Sequence, residues 1–180
     1  MTQILMVCTA NICRSPMACA VGRGMARSRG LAVGFESAGT HALAGVQRTD
    51  ARAVAALVRR RYDAPGTASR PVVASDFARF DLILAMDASN LQDLAAQCPA
   101  QFQDKLHLLL AFAPQTGLTE VPDPYHGAAP GFDRVLDLCE AGVQGVLASL
   151  PDHVSKSSDV ALGEKKSGLM RWWDKARRKQ

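Results

Sequence analysis

VCTANICRSP, Val7 to Pro16, joins an apolar run to a segment with helical character near the start of the chain. The apolar run QILMVC leads into it, and good helix formers begin at Pro16, so the pattern predicts a strand, a tight loop and a helix. Two cysteines and an arginine, Cys8, Cys13 and Arg14, lie in or beside the loop. What these side chains can do depends on where the fold places the loop.

Three more strands and three more helices are predicted downstream. The strand patterns LAVGFESAG, FDLILAMD and KLHLLLAF begin at residues 31, 80 and 105. Helical spacing of apolar residues occurs in residues 51–62, 89–98 and 132–150, and Thr49 or Asp50 can cap the first of these. Because strands and helices alternate, we expect an α/β fold, a three-layer sandwich with a four-stranded parallel sheet and helices on both faces. Ligands bind at the carboxyl ends of such strands, where the opening loop lies.

Length and composition favour one soluble domain. The 180 residues are 48% hydrophobic, which suits a single packed core, expected over residues 1–154. Apolar stretches are far shorter than the roughly 20 residues that span a bilayer, and no signal peptide is visible, so we expect a cytoplasmic monomer. Five cysteines, an odd number, favour reduced thiols over a disulfide framework.

Residues 155–180 differ in composition from the rest of the chain. They carry eight Lys or Arg against three Asp or Glu, which leaves residues 1–154 near neutral and argues against nucleic acid as a partner. The segment is predicted to be a flexible basic tail. Its residues 167–180 interleave Trp172 and Trp173 with basic side chains, so they form either a basic amphipathic helix for peripheral membrane or partner contact, or a disordered solubilising segment.

The opening loop has the composition of an anion-binding site with a nucleophile. Its backbone N–H groups can converge beside the N-terminus of the predicted helix, where partial positive charge attracts anions. Arg14 adds a planar fork of donors that matches phosphate oxygens. The same positive charge favours the thiolate form of Cys8, and Ser15 is placed to donate a hydrogen bond to it. Cys8 is therefore a candidate nucleophile toward phosphorus.

Other roles for the thiols have less support. The spacing of Cys8 and Cys13 suits half of a zinc site, but no paired Cys or His segment occurs elsewhere, so we expect no metal. A disulfide between the two is conceivable as a reversible oxidised state. Cysteine at a strand end is commonly a small buried residue. Three further cysteines fall within helical patterns and are predicted to be core residues: Cys19, Cys98 and Cys139.

These motifs resemble those of a known family. VCTANICRSP is similar to the phosphate-binding loop of the low-molecular-weight protein tyrosine phosphatases, and the similarity continues in ESAGT, FDLILAMDASNL and PDPYHG, in the family's order, over about residues 1–150. The resemblance implies a four-stranded parallel sheet with flanking helices. It also implies hydrolysis of a phosphotyrosine protein in two steps through a phosphocysteine, without a metal or another cofactor.

The reaction needs a proton donor in addition to the nucleophile, because the expelled phenoxide must be protonated. Asp123 lies in PDPYHG, where a proline on each side fixes its backbone and where Tyr125 and His126 can wall the cleft. Taken alone, the segment would be interpreted as a turn. The resemblance implies that Asp123 protonates the leaving group and then activates the water that hydrolyses the phosphocysteine.

The remaining loop residues are predicted to bind the substrate. They are Thr9, Ala10, Asn11, Ile12 and Cys13. Asn11 tolerates the left-handed backbone conformation that a tight loop needs, and the resemblance implies that Ser37 holds its side chain as structural support. The resemblance also implies that Cys13 traps an oxidised nucleophile as a disulfide, and a simple packing role for this thiol stays open.

Three positions depart from the family pattern. Ala10 stands where glycine is usual, which costs free energy if the backbone φ there is positive. Thr67 stands where histidine is common, which puts the support of Asn11 in doubt. Leu43 stands in a loop where mammalian-type members carry an aromatic residue that binds the substrate. The chain therefore looks more like the bacterial subgroup of the family. Members of that subgroup dephosphorylate autophosphorylating tyrosine kinases of exopolysaccharide synthesis. Tyr125 would then be the main aromatic wall for a phenyl ring.

Three other functions are compatible with the same scaffold. Arsenate reductases that resemble this fold use further cysteines as a relay, but Cys98 has no partner cysteine in its own segment. Protein-arginine phosphatases resemble the family with a threonine at the position of Ile12, where an isoleucine favours an aryl phosphate. A non-catalytic phosphotyrosine-binding module is disfavoured because Cys8, Arg14 and Asp123 are all present.

Overall fold

The computed structural model describes residues 1–66 and 68–150. Three features of the sequence lie outside these described residues: the departure at Thr67, the predicted tail over residues 155–180, and the predicted membrane contact over residues 167–180. In the described ranges, no helix is long and apolar enough to cross a bilayer.

A parallel sheet forms the centre of the molecule. The four strands of the described chain are β1 (Thr2–Cys8), β2 (Val33–Gly39), β3 (Leu82–Ala85) and β4 (Leu106–Leu108), in the order β2-β1-β3-β4. On β1, Ile4 and Met6 pack into one layer of the core, and Leu5 and Val7 pack into the other. All four side chains are fully buried, which explains why the strand is a continuous apolar run rather than an alternating one.

Helices cover both faces of the sheet. Within the described residues they are α1 (Arg14–Ser28), α2 (Ala51–Arg59), α3 (Ala74–Arg79), α4 (Ala88–Gln97) and α5 (Ala129–Ser149). Side chains of α1, α2 and α5 pack in the core layer that contains Met6, and Phe77 of α3 and Leu94 of α4 pack in the layer that contains Val7. This is the three-layer α/β sandwich with a four-stranded parallel sheet that the sequence predicts.

The helix starts differ in how they are capped. Asp50, rather than Thr49, caps α2, because its carboxylate accepts a hydrogen bond from the amide of Arg52 at 2.8 Å. Asp87 caps α4 in the same way. The N-cap residue of α1 is Cys13, and no side chain caps this helix. The first turn of α1 therefore keeps its unpaired amide groups beside the loop that precedes it.

One prediction of local structure is wrong, and one helix is not predicted from the sequence. The strand predicted over residues 105–112 covers only Leu106–Leu108, and the chain continues as a 3₁₀ segment, Leu109–Phe112. An apolar run does not by itself distinguish these outcomes, and here Leu109 and Leu110 leave the sheet to pack in the core layer beside α5. Helix α3 is not predicted, because it has only six residues and so shows little periodicity.

Helix α5 is continuous through Gly142 and Gly145, and the 3₁₀ segment lies close against it at both positions. A Cβ atom on Gly142 would lie 2.6 Å from Leu109 Cγ, and one on Gly145 would lie 1.8 Å from the carbonyl oxygen of Phe112. Both distances are shorter than van der Waals contact. The glycines thus allow α5 to pack directly on the 3₁₀ segment.

Gly145→Ala is expected to lower the free energy of unfolding by about 1–3 kcal/mol, because overpacking against backbone outweighs the gain in helix propensity. Urea unfolding monitored by circular dichroism measures the change. Gly131→Ala in the same helix is the matched control, because a Cβ there meets only Pro124 Cβ at 3.8 Å. Equal stability of the two variants would contradict the close contact at Gly145.

Candidate active site

The loop between β1 and α1 folds tightly around Asn11. The φ angle of Asn11 is 57°, in the left-handed region that the sequence analysis expects for this residue. Ala10 is not among the described residues with positive φ, so its replacement of the usual glycine carries no backbone strain. The loop joins Cys8, at the carboxyl end of the central strand, to Arg14, the first residue of α1.

Cys8 lies at the base of this loop in a hydrogen-bonded setting. Its Sγ atom is 3.0 Å from Ser15 Oγ, and the side chain is buried. Ser15 Oγ also accepts a hydrogen bond from Asn11 Nδ2 at 3.0 Å and can donate to the carbonyl oxygen of Ala38 at 3.2 Å. Ser15 Oγ has one hydrogen, so it donates either to the carbonyl oxygen of Ala38 or, when Cys8 is a thiolate that can only accept, to the sulfur.

Asn11 is held by different groups from those predicted. In the part of the chain that the structure describes, its side chain bonds to Ser15 and accepts a hydrogen bond from the amide of Arg70 at 3.0 Å. Ser37 pairs with Met6 in the sheet register and lines a cavity against α1 instead. The prediction that Ser37 supports Asn11 is therefore corrected.

Arg70 is itself fixed by its neighbours, which gives Asn11 a rigid partner. Its carbonyl oxygen accepts a hydrogen bond from the amide of Gly39 at 2.9 Å. Its guanidinium forms ion pairs with Asp76 at 2.8 Å and with Glu36 at 3.3 Å. The support of the loop thus extends to β2 and α3.

Arg14 is a buried cation with two carboxylate partners. It pairs with Asp87 through Nη1 and with Asp123 through Nη2, the latter at 3.0 Å. Nη1 also donates to the carbonyl oxygen of Val121 at 3.3 Å, and Nη2 to Thr9 Oγ1 at 3.4 Å. Burial opposes the charge, but the hydrogen bond to Asp87 and the surrounding negative groups raise the pKa of Arg14 above its ordinary value.

Asp123 lies at the mouth of the loop. Its Oδ2 atom accepts the hydrogen bond from Arg14, and its Oδ1 atom accepts one from the amide of Tyr125 at 3.1 Å. The side chain is 53% exposed, in contrast to 4% for Arg14. The structure thus brings together the thiol, the arginine and the carboxylate that the sequence analysis names, although they lie up to 115 positions apart in the chain.

Two of the predicted substrate-contacting side chains, Tyr125 and Leu43, are exposed to solvent. Tyr125 is 45% exposed, and its ring packs edge-on against His126 with centroids 5.1 Å apart. Leu43 is 63% exposed, and its carbonyl oxygen accepts a hydrogen bond from Ser69 Oγ at 2.8 Å. Both residues present apolar surface to solvent, and their contact with substrate stays a prediction.

Sequence reasoning missed two polar residues of the site. Asp87, which follows β3, both caps α4 and pairs with Arg14. Asn90 is fully buried, and its side-chain amide hydrogen-bonds Thr9 Oγ1 at 3.0 Å. The sequence does contain a signal for Asp87, because an acidic residue lies directly between a buried strand and a helix. This is the position at which α/β sheets bind ligands.

Cys13 is buried and is held as a thiol. Burial raises the pKa of Cys13 to about 12, and negative charge on Asp50, Cys8 and Asp123 acts in the same direction. Because the thiolate is the reactive form, Cys13 does not compete with Cys8 as a nucleophile near neutral pH. The remaining three cysteines, which the sequence analysis assigns to the core, are buried and unbridged.

A parallel sheet with a thiol, a buried arginine and a carboxylate at the end of its central strand defines a cysteine-dependent phosphatase. The family model of the low molecular weight phosphotyrosine protein phosphatases matches residues 3–156. The chain belongs to this family, as the sequence motifs predict.

Known members resemble the chain over most of its length. A low molecular weight protein-tyrosine-phosphatase from Streptomyces coelicolor is 38% identical over 157 residues, which cover 84% of this chain and 95% of the relative. The crystal structure of a low molecular weight phosphotyrosine phosphatase from Vibrio cholerae has a TM-score of 0.79 at 38% identity and covers 83% of this chain and 96% of its own. A protein tyrosine phosphatase structure from Entamoeba histolytica has a TM-score of 0.80 at the same identity, with 83% and 96% covered.

The free energy of unfolding is expected to fall as the pH rises above 9. Burial raises the pKa of Cys19 from 9.0 to about 11, and it raises the pKa of the fully buried Cys139 as well. Between the thiol pKa of the unfolded state and that of the folded state, the folded state binds more protons. In that pH range each such thiol lowers the free energy of unfolding by about 1.4 kcal/mol per pH unit. The contribution of Cys19 is complete below pH 9 and lost by about pH 11.

Urea unfolding across this pH range measures the slope. Cys19→Ala is expected to reduce the slope of the free energy of unfolding against pH by the contribution of one thiol, because alanine does not titrate. An unchanged slope in Cys19→Ala would show that the thiol ionises alike in both states.

Proposed function

We propose that the protein hydrolyses phosphotyrosine in proteins through a phosphocysteine intermediate on Cys8. The observation that carries this function is the convergence of Cys8, Arg14 and Asp123 at the carboxyl end of the central strand, with Ser15 3.0 Å from the sulfur. Membership of the phosphatase family supports the same reaction.

In the first step, Cys8 Sγ attacks phosphorus and the bond from phosphorus to the tyrosine oxygen breaks. The amide groups of the loop and the guanidinium of Arg14 bind the phosphate oxygens, as a helix N-terminus and a planar donor fork allow. A phosphate oxygen on Nη2 of Arg14 would take the place of the Asp123 carboxylate, which is 3.0 Å from that atom. Asp123, in its protonated form, then donates its proton to the leaving phenolate oxygen.

In the second step, water hydrolyses the phosphocysteine. The carboxylate of Asp123 accepts a proton from the water, whose oxygen attacks phosphorus as the bond to sulfur breaks. The electron pair returns to Cys8 as a thiolate, and the hydroxyl of Ser15 donates a hydrogen bond to it. Phosphate leaves, and the loop is restored.

The loop residues bind substrate in this proposal. Thr9, Ala10, Ile12 and Cys13 contribute backbone amides, and Asn11 sets the turn with its φ of 57°. Tyr125, His126 and Leu43 wall the entrance for a phenyl ring, since aromatic and apolar side chains pack favourably on an aryl group.

The finer biological setting is also a proposal. We infer a monomer in the cytoplasm with a phosphatase domain over residues 1–154, acting on an autophosphorylating bacterial tyrosine kinase of exopolysaccharide synthesis. The absence of an aromatic residue at Leu43 motivates this assignment. Such a kinase would lie at the membrane, which gives the basic tail a function in bringing the enzyme close to its substrate.

Cys8→Ser is expected to abolish turnover of a phosphotyrosine peptide, and Asp123→Asn is expected to lower kcat about 100- to 1,000-fold because acid and base catalysis are lost. Phosphate release under steady-state conditions measures both. Asp63→Asn is the matched control, because Asp63 is an exposed carboxylate that pairs with Arg27.

Full activity of Cys8→Ser would rule out the phosphocysteine. The same preparations are assayed with phosphoarginine and with arsenate. Arsenate reduction without ester hydrolysis would assign the protein to the reductases, preferred hydrolysis of phosphoarginine would assign it to the arginine phosphatases, and tight binding of phosphotyrosine without turnover would indicate a non-catalytic module.

The full-length protein is expected to bind vesicles that contain anionic lipid more tightly than a variant truncated after Pro151, because the removed residues carry the basic charge and both tryptophans. Vesicle co-sedimentation at two salt concentrations measures the difference, and neutral vesicles are the control. Equal binding of the two proteins to anionic vesicles would show that the tail does not target the membrane.

A further inference from the structure

The segment that carries Asp123 is anchored at two separate points. Before the aspartate, the amide of Val121 donates to the carbonyl oxygen of Met86 at 2.8 Å, at the end of β3. After the aspartate, the carbonyl oxygens of Tyr125 and Gly127 accept hydrogen bonds from one side chain, Arg52 of α2. The position of the carboxylate thus depends on a residue from another element.

The guanidinium of Arg52 is held in one orientation by several contacts. Nη2 donates to Tyr125 O at 2.9 Å, and Nη1 donates to Gly127 O at 3.0 Å. Nε and Nη2 also bind the two carboxylate oxygens of Asp50 at 3.0 and 2.8 Å. The guanidinium carbon lies 4.6 Å from the ring centroid of Phe132 and 5.8 Å from that of Tyr125. Only a rigid planar fork makes all these contacts at once.

The same pair of residues reaches the nucleophile loop. The amide of Asp50 donates to the carbonyl oxygen of Ile12 at 2.8 Å. The start of α2 therefore contacts the loop of Cys8 through Asp50 and the segment of Asp123 through Arg52. It forms a direct link between the two parts of the site, independent of the ion pair between Arg14 and Asp123.

We infer that Arg52 is a positioning residue that fixes the position of the Asp123 segment relative to the loop that carries Cys8. This inference rests on the proposed phosphatase function. It contacts neither the sulfur nor the carboxylate and acts through the backbone of residues 125 and 127. Loss of Arg52 would leave Asp123 present but poorly aligned with the leaving oxygen, and small misalignments are costly in proton transfer.

Leaving-group dependence separates this function from a general structural one. Phenyl phosphate expels a strongly basic phenolate that needs the proton of Asp123, whereas p-nitrophenyl phosphate expels a weaker base that needs it less. The value of kcat/KM reports the steps up to phosphocysteine formation. Arg52→Ala is expected to lower kcat/KM for phenyl phosphate about 10- to 100-fold. The factor by which it lowers kcat/KM for p-nitrophenyl phosphate is expected to be at least about five times smaller. The ratio of the two values does not depend on the folded fraction of the variant.

Three comparisons complete the experiment. Arg59→Ala is the matched control, because Arg59 also lies on α2 and pairs with Asp133 of α5 at 2.7 Å without contacting the Asp123 segment in the described structure; its ratio is expected to equal that of the wild type. Arg52→Lys is expected to keep most of the defect, because an ammonium cannot bind both carbonyls and Asp50. In an Asp123→Asn background, Arg52→Ala is expected to change phenyl phosphate turnover by less than about threefold.

An equal loss for both esters, full recovery in Arg52→Lys, or an additive effect in the Asp123→Asn background would overturn the inference. Failure of the function itself has a different signature. Wild-type protein that hydrolyses neither ester would overturn both the proposed function and the positioning by Arg52, whereas active wild type with an unchanged ratio in Arg52→Ala would overturn the positioning alone.

Discussion

Arg14 carries its charge in the protein interior, with a side chain that is only 4% exposed. A guanidinium in a protein interior is costly unless its N–H groups are paired. Asp87 pairs with it from the end of β3, and Asp123 pairs with it from the loop that precedes α5. A parallel sheet places the ends of β1 and β3 at the same edge, so the fold brings these charges together without a special connection.

Asp87 connects the stability of the fold with the geometry of the site. One of its carboxylate oxygens accepts the amide of Asn90 and so caps α4, while the other pairs with Arg14. A substitution that removes the carboxylate removes both functions, so effects on stability and on activity at this position have a common cause. The start of α2 combines two functions in a similar way, because Asp50 caps the helix and contacts Ile12.

Local signals in the sequence were sufficient for the central part of the molecule. The strand, loop and helix around Cys8, the left-handed Asn11 and a cap at Thr49 or Asp50 follow from residue types at short spacing, and the structure agrees, with Asp50 as the cap. Long-range packing decided what the sequence did not reveal. Leu109 leaves the predicted strand and packs on α5 at Gly142. Asn11 bonds to Arg70 rather than to Ser37, because the segment of residues 70 and 71 pairs with Gly39 at the end of β2.

The helix that begins at Arg14 has no side chain to cap it, since its N-cap residue is Cys13. A serine or aspartate at an N-cap contributes about 1 kcal/mol, and the chain lacks that contribution at the point where the proposed mechanism binds phosphate. A bound oxyanion would then act as the cap. Ligand binding and folding would thereby be linked at this point, and phosphate bound there would raise the melting temperature of the protein with its concentration.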